Sequence, residues 1–230
     1  MIRGIVFDLD HTLFDRYATI RSTFPEFYAH YRDRIPEELS AEEFIERIIP
    51  IEKKYIHHGW YRVLEVCAEE GLLAPATAEE LKEAVRYIVN NCWPITSVPY
   101  DFAKPTLKKL REKGYKLGIV TNGGHDNQAN KINTLGLEPF VDEIVISGDV
   151  GVHKPAPEPF LVKCEKLKLP PEELVYVGDN PKNDVEGSRK VGYTPIWVRT
   201  TGYWCFDEIP RAEYEVDTVE EIPDLLEKMK

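Results

Sequence analysis

Ile5-Val6-Phe7-Asp8-Leu9-Asp10-His11-Thr12 decides the fold. Three apolar residues, two of them β-branched, give way to a polar D-x-D-x-T segment. A short, wholly apolar run that stops this abruptly marks a strand buried on both faces. Similar runs recur at Leu117-Gly118-Ile119-Val120, Ile144-Val145-Ile146, Leu174-Val175-Tyr176-Val177 and Pro195-Ile196-Trp197-Val198. Helical patterns separate them. Residues 103–113 carry Leu107 and Leu110 and stop at Gly114, and residues 125–135 stop at Gly136. Phe160, Cys164 and Leu167 share one helix face, residues 184–191 close at Gly192, and Leu225, Leu226 and Met229 read as the face of a last helix. Strands alternating with helices of this length predict an α/β fold with a parallel, doubly wound sheet.

One interval breaks the rhythm. A strand-helix-strand crossover needs only about 30 residues, yet the second strand begins near residue 115. The segment 103–113 already supplies the crossover helix, so residues 15–95 are surplus. They read as helical: Phe24, Phe27, Tyr28 and Tyr31 follow a helical period, as do Leu81, Val85 and Ile88. Ser40 with Glu43 and Thr77 with Glu80 form capping-box patterns. The expected organisation is a core of residues 1–14 and 96–230 with an inserted α-helical domain at 15–95. Both connections of that insertion lie at the strand edge where ligands of open parallel sheets bind, the place for a lid.

Four polar stations fall at or beside that edge: Asp8 with Asp10, Thr121-Asn122-Gly123, Lys154-Pro155, and Gly178-Asp179 through Asp184. Each has an ordinary alternative. D-x-D is most often a turn or a helix cap, but a carboxylate there also serves as nucleophile, metal ligand or general acid/base. Thr121-Asn122-Gly123 is a turn and N-cap, or a hydroxyl and free amides for phosphate oxygens. Lys154 is a solvated surface group, or an ammonium balancing clustered carboxylates and phosphate. Asp184 caps a helix, or joins Asp179 in offering hard oxygen ligands to a divalent cation such as Mg2+. Four coincidences in order at strand ends favour the second reading of each.

Composition agrees. With 230 residues, 43% apolar, the chain can bury one sizeable core plus a small satellite. A net charge of −11 speaks against broad contact with nucleic acid or anionic membrane. An acidic protein that handles phosphate must supply positive charge locally, through a cation and a buried lysine. Cys67, Cys92, Cys164 and Cys205 show no C-x-x-C or zinc spacing and read as buried apolar residues. Met1-Ile2-Arg3 runs straight into the first strand, and no apolar run approaches the roughly eighteen residues of a membrane span. A soluble, cytoplasmic protein without a signal peptide is expected.

The stations together resemble the haloacid dehalogenase-like hydrolases: D-x-D-x-T at 8–12, a hydroxyl residue at 121, a lysine at 154 and G-D-x-x-x-x-D at 178–184. The insertion is similar to the cap of the subgroup that holds phosphoglycolate phosphatase and the sugar- and nucleotide-phosphate phosphatases. His11 departs from the small or polar residue common at that position. The resemblance implies a Rossmann-like core and Mg2+-dependent hydrolysis of a small phosphorylated metabolite. Asp8 would be the nucleophile and Asp10 the acid/base, with Lys154 offsetting negative charge. Thr121 and the Asn122 amide would bind phosphate. Asp8, the Asp10 carbonyl and Asp179 would hold the metal, with Asp184 direct or through water. It implies no nucleic-acid or membrane partner, and a monomer or homodimer. Arg16, Tyr17, His57, His58, Trp60, Tyr61 and Arg62 are candidates for substrate contact from the insertion. The competing readings are a metal-independent 2-haloacid dehalogenase, a receiver-type phospho-acceptor and a non-catalytic metal-binding interaction protein. Asp10 favours phosphate over halide chemistry, and the insertion has no place in a receiver.

Overall fold

A computed structural model describes residues 1–55, 58–92, 97–201, 204 and 206–229. His57 and Cys205 therefore lie outside the described residues, as does the expected 95/96 boundary. The chain divides into two compact units, one of Met1–Asp15 with Pro99–Lys230, the other Arg16–Val98.

The larger unit is built on six parallel strands. In chain order they are β1 (Gly4–Phe7), β2 (Lys116–Thr121), β3 (Glu143–Ile146), β4 (Leu174–Gly178), β5 (Thr194–Val198) and β6 (Tyr214–Val216). Their order across the sheet is 3-2-1-4-5-6, the doubly wound Rossmann-like arrangement, with every pairing parallel. β1 is central, with Phe7 in register with Ile119 on one side and Val177 on the other. Its apolar residues are fully buried because helices cover both sheet faces. On one of them Val6, Val120, Val145, Tyr176 and Tyr193 pack with Phe160 and Leu167 of the helix Glu158–Leu167.

The five apolar runs all became strands. β6 was not legible because Tyr-Glu-Val at the sheet edge is too short and too polar to stand out. The helix ends Gly114, Gly136 and Gly192 have positive φ, so the missing Cβ lets the chain reverse there. The last helix differs from expectation. It spans Ile222–Lys228 and buries Ile222, Pro223 and Leu226, leaving Leu225 and Met229 only half-buried.

The smaller unit is helical: Arg16–His30, Ala41–Tyr55, Gly59–Glu69 and Ala78–Tyr87, the last running on into Ile88–Cys92. Phe24 and Phe27 stack at 5.3 Å and Phe27 meets Phe44 at 6.2 Å, so the 24–31 stripe is this unit's own core. Both capping boxes form, Ser40 with Glu43 and Thr77 with Glu80. Arg16 Nε donates to the buried Glu52 at 2.6 Å and its guanidinium lies over Trp60. Arg62 is paired with Glu65 and Glu69, and His58 is exposed. Among the described residues no helix is long and apolar enough to cross a membrane.

Candidate active site

β1 and β4 are neighbours at the point where the strand order reverses, so their carboxyl ends open onto the crevice that such sheets use for ligands. The main chain fixes Asp8 there, its N–H donating to the carbonyl of Val177 at 2.8 Å. Asp179 follows β4 directly, and Trp197 of β5 donates its indole N–H to the Asp179 carbonyl at 2.7 Å. Asp184 is not the helix cap. That role belongs to Asn180, whose side chain accepts from the amides of Lys182 and Asn183 and starts a π-helical turn, Pro181–Glu186. The wide turn sends Asp184 back over β4, where it accepts from the Asn180 amide at 3.0 Å. Gly178 makes the room: a Cβ there would lie 2.5 Å from the Asp184 carboxylate.

Carboxylate oxygens of Asp8, Asp179 and Asp184, all buried, lie within 4.8 Å of one another. The Lys154 ammonium sits among them. Its Nζ donates to Asp8 Oδ1 and Asp184 Oδ1, each at 2.7 Å, and to Tyr176 Oη at 2.8 Å. Tyr176 in turn donates to the carbonyl of Val120 at 2.9 Å, so all three ammonium hydrogens have an acceptor.

The electrostatics follow from burial. Desolvation pushes the Asp8 carboxyl up to about 7, against the pull of Lys154 and with the help of Asp184 and Asp10. Desolvation followed by the repulsion of Asp184 and Asp8 holds Asp179 well above the ordinary carboxylate range. For Lys154 burial acts downward, but Asp184 and Asp8 outweigh it and keep the amine charged. Two unit charges 4 Å apart interact by roughly 4 kcal/mol at an effective dielectric of 20. With all three ionised, the one Lys154 charge leaves the group two positive charges short, and desolvation together with this deficit is what raises Asp8 and Asp179 here. Clustered hard oxygen donors with that deficit fit a divalent cation such as Mg2+.

The other stations converge on the same edge. Thr121, the last residue of β2, is buried, and its hydroxyl accepts from Gln128 Nε2 at 2.8 Å. Asn122 has a job that sequence reasoning missed. Its side-chain Nδ2 donates to the Lys154 carbonyl at 3.0 Å and its Oδ1 accepts from the Lys154 amide at 2.8 Å. Asp10 stands apart from the three-carboxylate group and is held by Lys131, whose Nζ lies 2.9 Å from Oδ1. Gln128, Lys131 and Tyr176 were also missed. Gln128 and Lys131 sit three apart on one helix, and Tyr176 lies inside an apolar run, so only the fold aims them here.

His11 adopts φ 61 and is buried, occupying a left-handed turn that His tolerates better than most side chains. His125 is exposed, and its hydrogen bond to the Asp149 carboxylate raises its pKa. Ser147 Oγ accepts from the Gly123 amide at 3.0 Å and meets His153 Nδ1 at 2.5 Å, which ties the β2 and β3 loops together.

The sequence profile described as haloacid dehalogenase-like hydrolase matches residues 5–198, from β1 through β5. The chain belongs to the haloacid dehalogenase-like hydrolase family. It is 30% identical over 241 aligned positions to a glyceraldehyde 3-phosphate phosphatase of Methanopyrus kandleri, covering 100% of this chain and 99% of that protein. It is 27% identical to the mouse N-acylneuraminate-9-phosphatase, with 99% and 95% covered. Among solved structures, a HAD phosphatase from Thermococcus onnurineus superposes with a TM-score of 0.64 at 30% identity, covering 98% of each chain. In this family member every motif residue quoted from the sequence is contributed by the larger unit alone.

Proposed function

We propose that this hydrolase is a Mg2+-dependent phosphatase that cleaves a small phosphomonoester through an aspartyl-phosphate on Asp8. The observation that carries the reading is the buried group of Asp8, Asp179 and Asp184, with Lys154 bridging Asp8 and Asp184 and a further carboxylate, Asp10, two residues from Asp8. Asp8 attacks phosphorus while the ester oxygen departs with the bonding pair and takes a proton from Asp10. Water then attacks the aspartyl-phosphate, gives its proton to Asp10, and releases inorganic phosphate with Asp8 restored. Thr121 and the amide of Asn122 hold phosphate oxygens, and Lys154 keeps the carboxylates from repelling the substrate. Asp8, the Asp10 carbonyl and Asp179 would hold the cation, with Asp184 direct or through water, and it would supply charge neutralisation for the incoming phosphate.

Relatives named for glyceraldehyde 3-phosphate and N-acylneuraminate 9-phosphate support a sugar-like phosphate as the substrate class. The helical unit acts as the cap, residues 15–95 in the sequence reading. The enzyme works in the cytoplasm as a monomer or homodimer. Cys67, Cys92 and Cys164 are free thiols, in keeping with a reducing compartment.

The test is hydrolysis of p-nitrophenyl phosphate with Mg2+, with EDTA, and by Asp8→Asn. Turnover should need Mg2+ and vanish in Asp8→Asn while the circular dichroism spectrum is unchanged. Full activity in chelator sinks the metal assignment, and an active Asp8→Asn sinks the covalent route.

A further inference from the structure

The acid/base just described is gripped from outside the loop that carries it. The helix His125–Leu135 presents Gln128 and Lys131, three apart and so on one face, against the Asp10 carboxylate. Lys131 Nζ donates to Asp10 Oδ1 at 2.9 Å and reaches Oδ2 at 3.3 Å. Gln128 Nε2 donates to Thr121 Oγ1 at 2.8 Å and to the Asn122 carbonyl, and lies 3.3 Å from Asp10 Oδ2. One helix face thus links the acid/base of β1 to the hydroxyl and the turn that end β2.

The Lys131 side chain is only 6% exposed, with its ammonium 5.5 Å from the centre of the Phe14 ring. Lysines on helix surfaces ordinarily run their stems along apolar surface and put the charge in water. Turning the charge inward is unfavourable unless an anion and good geometry meet it. Asp10 is that anion. A short acid on a strand-end loop has two free side-chain torsions, yet a group that delivers a proton to one oxygen needs placement within about 0.5 Å.

The geometry points to Lys131 as the positioning residue for Asp10, with Gln128 tying the same carboxyl to Thr121. Lys131 takes no part in bond making. It holds Asp10 Oδ1 and leaves Oδ2, the more loosely held oxygen, to take up a proton on substrate binding, pass it to the departing ester oxygen and accept the proton of the attacking water. The inference rests on the phosphatase reading. A merely structural Lys131 would fasten helix to loop and, when lost, slow every substrate alike.

The experiment measures kcat/KM with Mg2+ on 2,4-dinitrophenyl, p-nitrophenyl and phenyl phosphate. This parameter reports the first chemical step and not the hydrolysis of the intermediate. Poor leaving groups need the proton and good ones do not. General acid catalysis is worth roughly 10²–10⁴-fold. Lys131→Met should therefore lose about 30-fold or more on phenyl phosphate and less than about threefold on the dinitrophenyl ester. Lys131→Arg should recover most of the loss. Gln128→Met should steepen the same dependence by a smaller amount, and it decides the matter where Lys131→Met does not fold. An equal loss across the series, or no loss, overturns the inference. A wild-type enzyme that cleaves none of the three overturns the phosphatase reading instead.

Discussion

Asn122 and Lys154 clasp each other: the Asn122 amide donates to the Lys154 carbonyl at 3.0 Å and its oxygen accepts from the Lys154 N–H at 2.8 Å. This two-bond contact mimics a strand pairing between the β2 turn and the loop that carries the ammonium. It fixes the backbone from which Nζ reaches Asp8 and Asp184. Asn122→Ala leaves a half-buried donor and acceptor without their partner, a loss of about 1–3 kcal/mol. The expected kinetic result is at least tenfold lower kcat on p-nitrophenyl phosphate with KM little changed. Urea unfolding and steady-state rates check both halves, and a KM effect alone would tell against the clasp.

Gly178 is the narrowest point of the carboxylate group. A Cβ would come 2.5 Å from Asp184 Oδ2 and 2.6 Å from its Cβ, a contact that real structures do not show. Gly178→Ala must push Asp184 away from the Lys154 ammonium. Such crowding typically costs about 1–3 kcal/mol, and the cation site should loosen with it. The expected readout is a raised Mg2+ requirement for turnover. Calorimetric titration with Mg2+ separates this from simple instability: unchanged affinity in a folded variant would contradict it.

How much of this was written in the sequence differs between fold and site. The strands announce themselves because each is buried on both faces, so burial and β-branching coincide residue by residue. Asp8, Lys154, Asp179 and Asp184 were legible because each punctuates such a strand or a proline-stiffened loop. Gln128 and Lys131 were not. A glutamine and a lysine on a polar helix carry no signal until the crossover lays that helix beside β1. Tyr176 was hidden by its apolar neighbours, and only its hydroxyl, placed between Lys154 and the Val120 carbonyl, reveals its use. Asn122 was noticed for its backbone amide, while its side chain does a job that depends on a loop 32 residues away.

Lys154 itself offers a test of the charge balance. Lys154→Met removes the ammonium that pairs with Asp8 and Asp184, leaving buried carboxylates to repel each other. Breaking a buried pair in this way costs about 3–5 kcal/mol. A cation seated among the same oxygens would relieve more repulsion in the variant than in the parent. Thermal unfolding with and without Mg2+ should therefore show the larger upward shift in Lys154→Met. Equal shifts would mean that the cation binds elsewhere.

A third buried lysine makes a prediction independent of the active site. Lys163, on the helix Glu158–Leu167, is fully buried beneath the sheet, where its Nζ donates to the Glu143 carbonyl at 2.6 Å. Gly118 admits its stem, since a Cβ there would lie 2.9 Å from Lys163 Cδ. Burial lowers the amine to about 7, with Lys166 adding to the fall and the carboxylates of Glu143 and Asp142 opposing it. The unfolded chain returns it to about 10.4. Between those values the unfolded state binds the proton and the folded state does not, so stability rises with pH across that window. Below about 7 both states are charged and the cost of burying the charge is fully present. Lys163→Met removes this dependence. The difference in unfolding free energy between parent and variant, followed by urea melts from pH 7 to pH 10, should move in favour of the parent by an amount on the order of a few kcal/mol. A difference that stays flat over that range would show that Lys163 keeps its proton in the folded protein.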